Sequence, residues 1–479
     1  MRILLINPIT NPKIVKVRVS IGIASISAAA KAKGHETTLL CPWDFEPVEI
    51  TKKMIDYKPD LVAISSVSGQ FELTKKIISW LHMHFKVPIV LGGIHATVAP
   101  EDAIETPGII GICIGEGDTA FVELISKLEK GEDYYHIPNF WFKDSEGNII
   151  KNPPRGVIKN LDELAFPDRS IFEPYLDNED QIVEFMFSRG CIFQCRYCIN
   201  HVMHKIYGIA GYLRVRSVDN CLQEIKSVVT KYKETHNGQV PKRLEFHDDT
   251  FMLHRKWFNE FCEKYAAEIG LPFACNGRVE TMDEEVVLLL KKANCVEVKI
   301  GLESGNEKIR KEVLNRQMSN EQIIKVFDLC NKHGLTTSSF NMIGVPGETE
   351  ETIMDTILLN RRIKPTVAGV SIFYPFKGTE LYKTCLDNGY ISERKTISFY
   401  EGKSVLNLPT ISHEKIEYYF RLFQTGIYHP KLVPIVSFAI KMKLYDPIKS
   451  TYLFFRKMGS KMLSRRQIDF IRMVLRHGK

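Results

Sequence analysis

Five short runs of continuous apolar character punctuate the first 130 residues, at 3–6, 36–40, 61–65, 89–91 and 109–114. Helix-patterned stretches lie between and after them, near 21–33, 49–56, 71–84, 99–105 and 120–130. Strands that are apolar on both faces need a layer on each side, and strands joined through helices run parallel. The chain therefore opens with a doubly wound α/β sheet. Ligands of such sheets sit beyond the carboxyl ends of the strands. Here those ends carry Asn7-Pro8, Ser65-Ser66-Val67-Ser68, Gly92-Gly93-Ile94-His95 and Gly115-Glu116-Gly117-Asp118. Small and hydroxyl-bearing residues in those places let a large flat ligand approach the backbone.

A second alternation runs from about 182 to 375, with strands expected at 183–187, 243–247, 273–276, 296–300, 338–343 and 367–373. Six β/α units make an incomplete version of the eightfold barrel, whose reactive face lies at the carboxyl ends of its strands. Between the two alternations, residues 139–150 read as a hairpin around Gly147, followed by Pro153-Pro154 and a Pro-punctuated connector at 161–168. The expected organisation is a ligand-binding domain at 1–135, hairpin and linker at 136–181, the barrel at 182–400, and a helical, basic region at 401–479. A chain of 479 residues has room for two or three such domains.

The first barrel strand runs into Ser188-Arg189-Gly190 and then Cys191-Ile-Phe-Gln-Cys195-Arg-Tyr-Cys198. Three thiolates at this spacing can hold three corners of a four-iron cluster, and no fourth cysteine is near. One iron is then left open, as a catalytic metal requires, whereas an electron-transfer cluster is normally closed by four thiolates. Zinc with His201 or His204 as fourth ligand is the competing reading. A disulfide is the weaker alternative, because a chain of this length with no secretory signal needs no staple. The other eight cysteines are scattered singly in apolar patterns, which suits buried, inert thiols and leaves no second cluster.

The spacing of Cys191, Cys195 and Cys198, with Tyr197 before the third cysteine, resembles the signature of the radical S-adenosylmethionine (SAM) enzymes. The runs Gly301-Leu-Glu303-Ser304-Gly305 and Gly344-Val-Pro-Gly347-Glu348-Thr349 resemble motifs of the subgroup that also holds the methylthiotransferases. That resemblance implies a [4Fe-4S] cluster whose open iron binds SAM and an electron that cleaves SAM to a 5′-deoxyadenosyl radical. It makes Tyr197, Asp248, Arg278, Glu303, Ser304, Gly344 and Gly347 candidate SAM contacts. Asp248 and Asp249 have a second reading as caps of the next helix. Glu348 reads as a charge at a helix start.

The N-terminal half, standing just ahead of such a barrel, resembles the cobalamin-binding domain of the cobalamin-dependent radical SAM class. The Gly-His region after the fourth strand and the Gly115-Glu116-Gly117 turn carry the match. Candidate cobalamin contacts are Asn7, Ser65, Ser66, Gly92, Gly93, His95, Gly115 and Glu116. Domains that ligate cobalt through a protein histidine carry Asp-x-His-x-x-Gly after the first strand, and this chain has Asn7-Pro-Ile-Thr-Asn-Pro-Lys13. Cobalamin would then have no protein imidazole beneath cobalt, with His95 lining the pocket. The class also includes relatives that have lost cobalamin.

The resemblance implies an enzyme that C-methylates an unactivated carbon of a small-molecule or lipid substrate. It also implies a low-potential electron donor such as a flavodoxin or ferredoxin. Ring formation, oxidation and lipid tailoring are alternatives on the same architecture. A tRNA methylthiotransferase would need further N-terminal cluster cysteines and a C-terminal RNA-binding barrel, so nucleic acid is not an expected partner. A non-catalytic iron–sulfur or cobalamin sensor would have no need of an open iron. Free thiols and an oxygen-sensitive cluster suit the cytoplasm. The net charge of +7 is uneven: residues 431–479 hold 12 Lys and Arg against 2 Asp and Glu. Those bases interleave with apolar residues, as in segments that contact anionic membranes, and also as in a helical cap with its bases in water.

Overall fold

Strands β1 (Arg2–Ile6), β2 (Glu36–Leu40), β3 (Leu61–Ser65), β4 (Ile89–Gly92) and β5 (Gly111–Cys113) form from the five apolar runs. They pair in parallel in the order 2-1-3-4-5. Alternation of side chains along β1 explains why the run is unbroken. Ile3 and Leu5 enter one core with Ala24, Phe121 and Leu124, while Leu4 and Ile6 enter the other with Ile77, Leu81 and Ile104. The computed structural model describes residues 1–9, 16–176, 181–209, 211–391 and 402–445. Residues 10–13 of the run that lacks the imidazole, and the basic stretch after 445, lie outside the described residues.

The helix expected at 99–105 is present as Pro100–Ile104, and a further short helix, Ile94–Val98, precedes it, ended where Pro100 cannot continue its last turn. One expectation in this half is corrected. The hairpin is not a free linker. Its strands β6 (Phe140–Lys143) and β7 (Ile149–Lys151) extend the sheet antiparallel from β5. Phe140 and Phe142 are wholly buried beneath that edge. The connector after it is fastened too: Asp168 accepts from Ser27 Oγ at 2.6 Å and pairs with Lys31 Nζ at 2.6 Å.

The described chain divides into two compact units. The first spans Met1–Phe273 with Pro375–Lys383. Beyond the N-terminal sheet it contains β8 (Ile182–Phe185), the short antiparallel pair β9 (Ser188–Arg189) and β10 (Arg214–Val215), and β11 (Arg243–Phe246), which runs parallel to β8. Packed rings of Phe185, Phe187, Phe246, Phe261 and Phe273 fill the space behind these strands. The boundary falls within β12 (Phe273–Gly277).

The second unit takes up the chain at Ala274 and holds β13 (Cys295–Glu303), β14 (Thr336–Ile343) and β15 (Val367–Ile372). These three run parallel, with a register shift between Gly301 and Glu303. Helices Glu284–Lys292, Asn320–Lys332 and Glu350–Ile363 return the chain between strands. Helices His413–Tyr428 and Val433–Lys441 follow. All six β/α strands expected after 182 are present.

Candidate functional site

The cluster-type loop is built by the local turn that β9 forces. Gly190 adopts φ +94°, and a Cβ there would stand 2.6 Å from the Tyr212 carbonyl oxygen, so only glycine brings the chain from β9 into Cys191. Cys191 and Cys195 are buried, Cys198 is partly buried, and none of the three is in a disulfide. Burial, with Asp249 and the other two cysteines as lesser contributors, pushes the Cys198 thiol up to about 12. A metal bound there would have to displace that proton and supply the compensating charge. Of the two histidines in the zinc reading, His204 places Nε2 2.6 Å from the Cys191 carbonyl oxygen and leaves its buried Nδ1 without a hydrogen-bond partner, and His201 Nε2 lies 3.5 Å from Glu380. Among the described residues no group of three or more His, Cys, Asp and Glu is arranged around a single metal ion.

A cavity of about 390 Å³ opens at the carboxyl ends of the N-terminal strands. Ala63, Ser65, Gly92, Gly93, Gly115, Glu116 and Gly117 line one side, and Gly190, Asn200, Met203, Tyr212 and Asp249 line another. Five of the eight expected cobalamin contacts thus come together: Ser65, Gly92, Gly93, Gly115 and Glu116. Asn7, Ser66 and His95 do not line it, which corrects their expected placement. His95 is turned into the fold, stacked on Phe71 with centroids 3.7 Å apart and bonded through Nδ1 to Ser68 Oγ at 3.1 Å. Burial pulls its pKa down to about 4, so it packs as a neutral ring. Ser66 is spent on Thr74 Oγ1 at 2.9 Å. Cys113, read from the sequence as an inert thiol, does line the cavity.

Two arginines tie the cavity turn to the strands that flank the cysteine loop. Arg189 places both terminal nitrogens on Asp118, at 2.8 and 3.0 Å. Arg214, its cross-strand partner, does the same to Glu116 at 3.1 and 2.5 Å. Forked pairs of this kind hold angle as well as distance. Neither arginine was legible as a site residue, since both read as ordinary charges near a strand end.

Asp248 and Asp249 divide the labour that the sequence left open. Asp248 Oδ1 accepts from the Phe187 and Ser188 N–H groups at 3.0 and 2.6 Å, and from the Ser188 hydroxyl. It fastens the end of the first barrel strand and lies buried, its pKa pushed up to about 6 by desolvation. In this structure it acts as a loop anchor. Asp249 is the one that faces the cavity.

In the second unit, Arg278 and Glu280 form a close pair at 2.6 Å. Glu303 sits at φ +67° with Oε1 3.5 Å from Arg316 Nη1. Ser304 is wholly buried, and its Oγ accepts from Asn306 N–H at 3.3 Å, so it shapes the turn rather than offering a hydroxyl. Arg310, fully buried, donates to the carbonyls of Met318 and Ser304 and to Asn320 Oδ1. Gly344 and Gly347 take φ of +80° and +79°. Glu348 is not a surface helix charge. It is wholly buried and accepts from the Gly344 and Val345 N–H groups, which closes the turn, and Thr349 caps the helix instead.

Comparison with known proteins settles the family. The radical SAM superfamily model matches residues 185–359, and the B12 binding domain model matches residues 13–125. The chain is a radical SAM protein with a B12-binding domain. A protein of Pyrococcus horikoshii named as an uncharacterised methyltransferase is 26% identical to this radical SAM protein over 445 residues, 90% of this chain and 94% of its own. The anaerobic magnesium-protoporphyrin IX monomethyl ester cyclase of Rubrivivax gelatinosus is 23% identical over 392 residues, 79% and 68% of the two chains. The solved structure of the cobalamin-dependent SAM radical enzyme OxsB, with aqua-cobalamin and SAM bound, superposes with a TM-score of 0.69. It is 15% identical and covers 98% of this chain and 75% of its own, a likeness of fold.

The cofactors of this radical SAM enzyme are a [4Fe-4S] cluster, SAM and cobalamin, and the residues present fit them. Three cysteines outside any disulfide share one loop, with no fourth cysteine in it. The cavity has glycines at its strand ends, where a Cβ on Gly92 would come no nearer than 3.8 Å to any side chain, so a broad ring can lie against backbone. No histidine lines it among the described residues.

Proposed function

We propose that this radical SAM enzyme is a methyltransferase acting on an unactivated carbon of a small or lipid-like molecule. The observation that carries this reading is the shared wall. The cavity suited to a corrin is lined by the residues on either side of the cysteine loop, Gly190 and Asn200, together with Tyr212 and Asp249. The name of the Pyrococcus relative supports methyl transfer. When bound, the cluster supplies the electron that cleaves SAM, and cobalamin serves as a methyl carrier.

The chain's own residues bind and orient. Cys191, Cys195 and Cys198 hold the cluster, and Asp248 keeps the start of their loop in place. Tyr197, Arg278, Glu303, Gly344 and Gly347 remain the groups assigned to SAM, with Arg316 and Glu348 supporting Glu303 and Gly344. Ser65, Gly92, Gly93, Gly115 and Glu116 form the cobalamin wall, and the pairs Arg189–Asp118 and Arg214–Glu116 hold that wall to the loop.

Ring closure is the second reading, favoured by the similarity to the Rubrivivax cyclase. Anaerobically reconstituted protein given SAM with an isotopically labelled methyl group separates the two. Label recovered on the bound corrinoid, with S-adenosylhomocysteine released, is the expected result. Conversion of SAM to 5′-deoxyadenosine with no label on the corrinoid would replace methylation by the cyclase-type reading.

Two partners belong to the same proposal. One is a low-potential electron donor of the flavodoxin or ferredoxin kind. The other is an anionic membrane surface, met through the C-terminal region. Helix Val433–Lys441 buries Val436 against Leu422 and Tyr445 but exposes Ile435 and Phe438. Lys431, Lys441 and Lys443 are exposed beside them. No helix among the described residues is long and apolar enough to cross a membrane.

A further inference from the structure

Asn200 occupies the first turn of helix Ile199–Tyr207, two residues after the last cysteine of the loop, and is buried. Its amide is engaged at every edge. Nδ2 donates to Asp249 Oδ2 at 2.9 Å and points at Cys198 Sγ at 3.7 Å. Oδ1 accepts from the Tyr212 hydroxyl at 3.1 Å. The side-chain amide thus presents an N–H donor to one cysteine sulfur, and two neighbours hold the amide plane.

A four-iron cluster gains negative charge when it is reduced, and that charge spreads onto its thiolate sulfurs. Donors aimed at a sulfur stabilise the reduced form more than the oxidised one and raise the potential. A buried setting strengthens the effect, because little water competes for the sulfur. We infer that Asn200 sets the reduction potential of the cluster, with Tyr212 and Asp249 as positioning residues that aim its amide. The inference rests on the reading of Cys191, Cys195 and Cys198 as cluster ligands. It goes beyond that reading by assigning the tuning to a residue that binds neither iron nor SAM. Asn200, Tyr212 and Asp249 also line the cavity assigned to cobalamin.

The test is a potentiometric titration of the anaerobically reconstituted full chain, followed by the electron paramagnetic resonance signal of the reduced cluster. Asn200→Leu keeps the volume but removes the side-chain donor. At a fixed potential the ratio of reduced to oxidised cluster is expected to fall about threefold to tenfold, the worth of one ordinary hydrogen bond. Iron content should match the unaltered protein. Tyr212→Phe leaves the Asn200 donor in place but removes one of the two bonds that aim the amide, and a smaller shift in the same direction is expected. It decides the matter if Asn200→Leu takes up no iron. Unshifted midpoints with full iron content overturn the inference while leaving the cluster reading intact. An unaltered protein that binds no iron overturns both.

Discussion

Glu348 carries a carboxyl group where the fold offers it no water, and its pKa is pushed up to about 8 by that burial against the pull of two backbone donors. In the unfolded chain the group ionises near 4.5. Between these values the folded protein holds a proton that the unfolded chain has released. The contribution is therefore whole below about pH 4.5 and is lost as pH rises toward 8. Glu348→Gln keeps an acceptor for Gly344 and cannot ionise. Its thermal stability relative to the unaltered protein should rise from pH 5 to about pH 8 and then level off, and a pH-independent difference would refute the assignment. At this scale the sequence was legible where chemistry is local. Three cysteines seven residues apart end to end declare a ligand set, and glycines at strand ends declare close approach. It was illegible where a side chain's role depends on what folds over it. His95 and Ser66 looked like pocket residues because they follow a strand, yet the ring of Phe71 and the hydroxyl of Thr74 claim them. Arg189, Arg214 and Arg310 were missed because an arginine's partner can lie anywhere in the chain.

The elements were readable in kind and less so in destination. Periodicity located all five N-terminal parallel strands and all six of the later ones, since unbroken apolar runs of that length suit strands buried on both faces. The hairpin at 139–150 was equally visible, but nothing in its pattern says which edge it will join. Phe140 and Phe142 decide that by burying both rings, stacked with centroids 5.1 Å apart, alongside β5. Phe142→Ala should cost about 3–5 kcal/mol. It should be seen as a lower midpoint in chemical denaturation of the N-terminal transition, and an unchanged midpoint would mean that the hairpin does not support the sheet. Asn139, at the start of the hairpin, donates to the carbonyls of Ile114 and Glu116 at 2.8 and 3.2 Å. The hairpin therefore reaches the turn that forms the cavity wall.

For the molecule as a whole, charge is the most unevenly spread property. The basic excess after 431 was plain in the sequence, and the described part of that region adds a helix with an apolar face left open beside three lysines. Vesicle flotation measures what covers it. Binding is expected for vesicles rich in anionic lipid and not for neutral ones. It should weaken several-fold when Ile435 and Phe438 are both changed to aspartate, or when the chain is cut after Tyr445. Recovery that ignores lipid charge and both changes would remove the membrane from the list of partners.

Because β5 finds its outer neighbour, among the described residues, in residues 140–143, the N-terminal half cannot be excised at the helix that follows β5. A chimera that borrows this half from a relative has to carry its donor's segment through Lys151, the end of β7. A splice placed near residue 135 would bare the rim of the sheet to any passing strand. It would also slacken the turn at Glu116, so such hybrids should aggregate before they could be tested for corrinoid uptake.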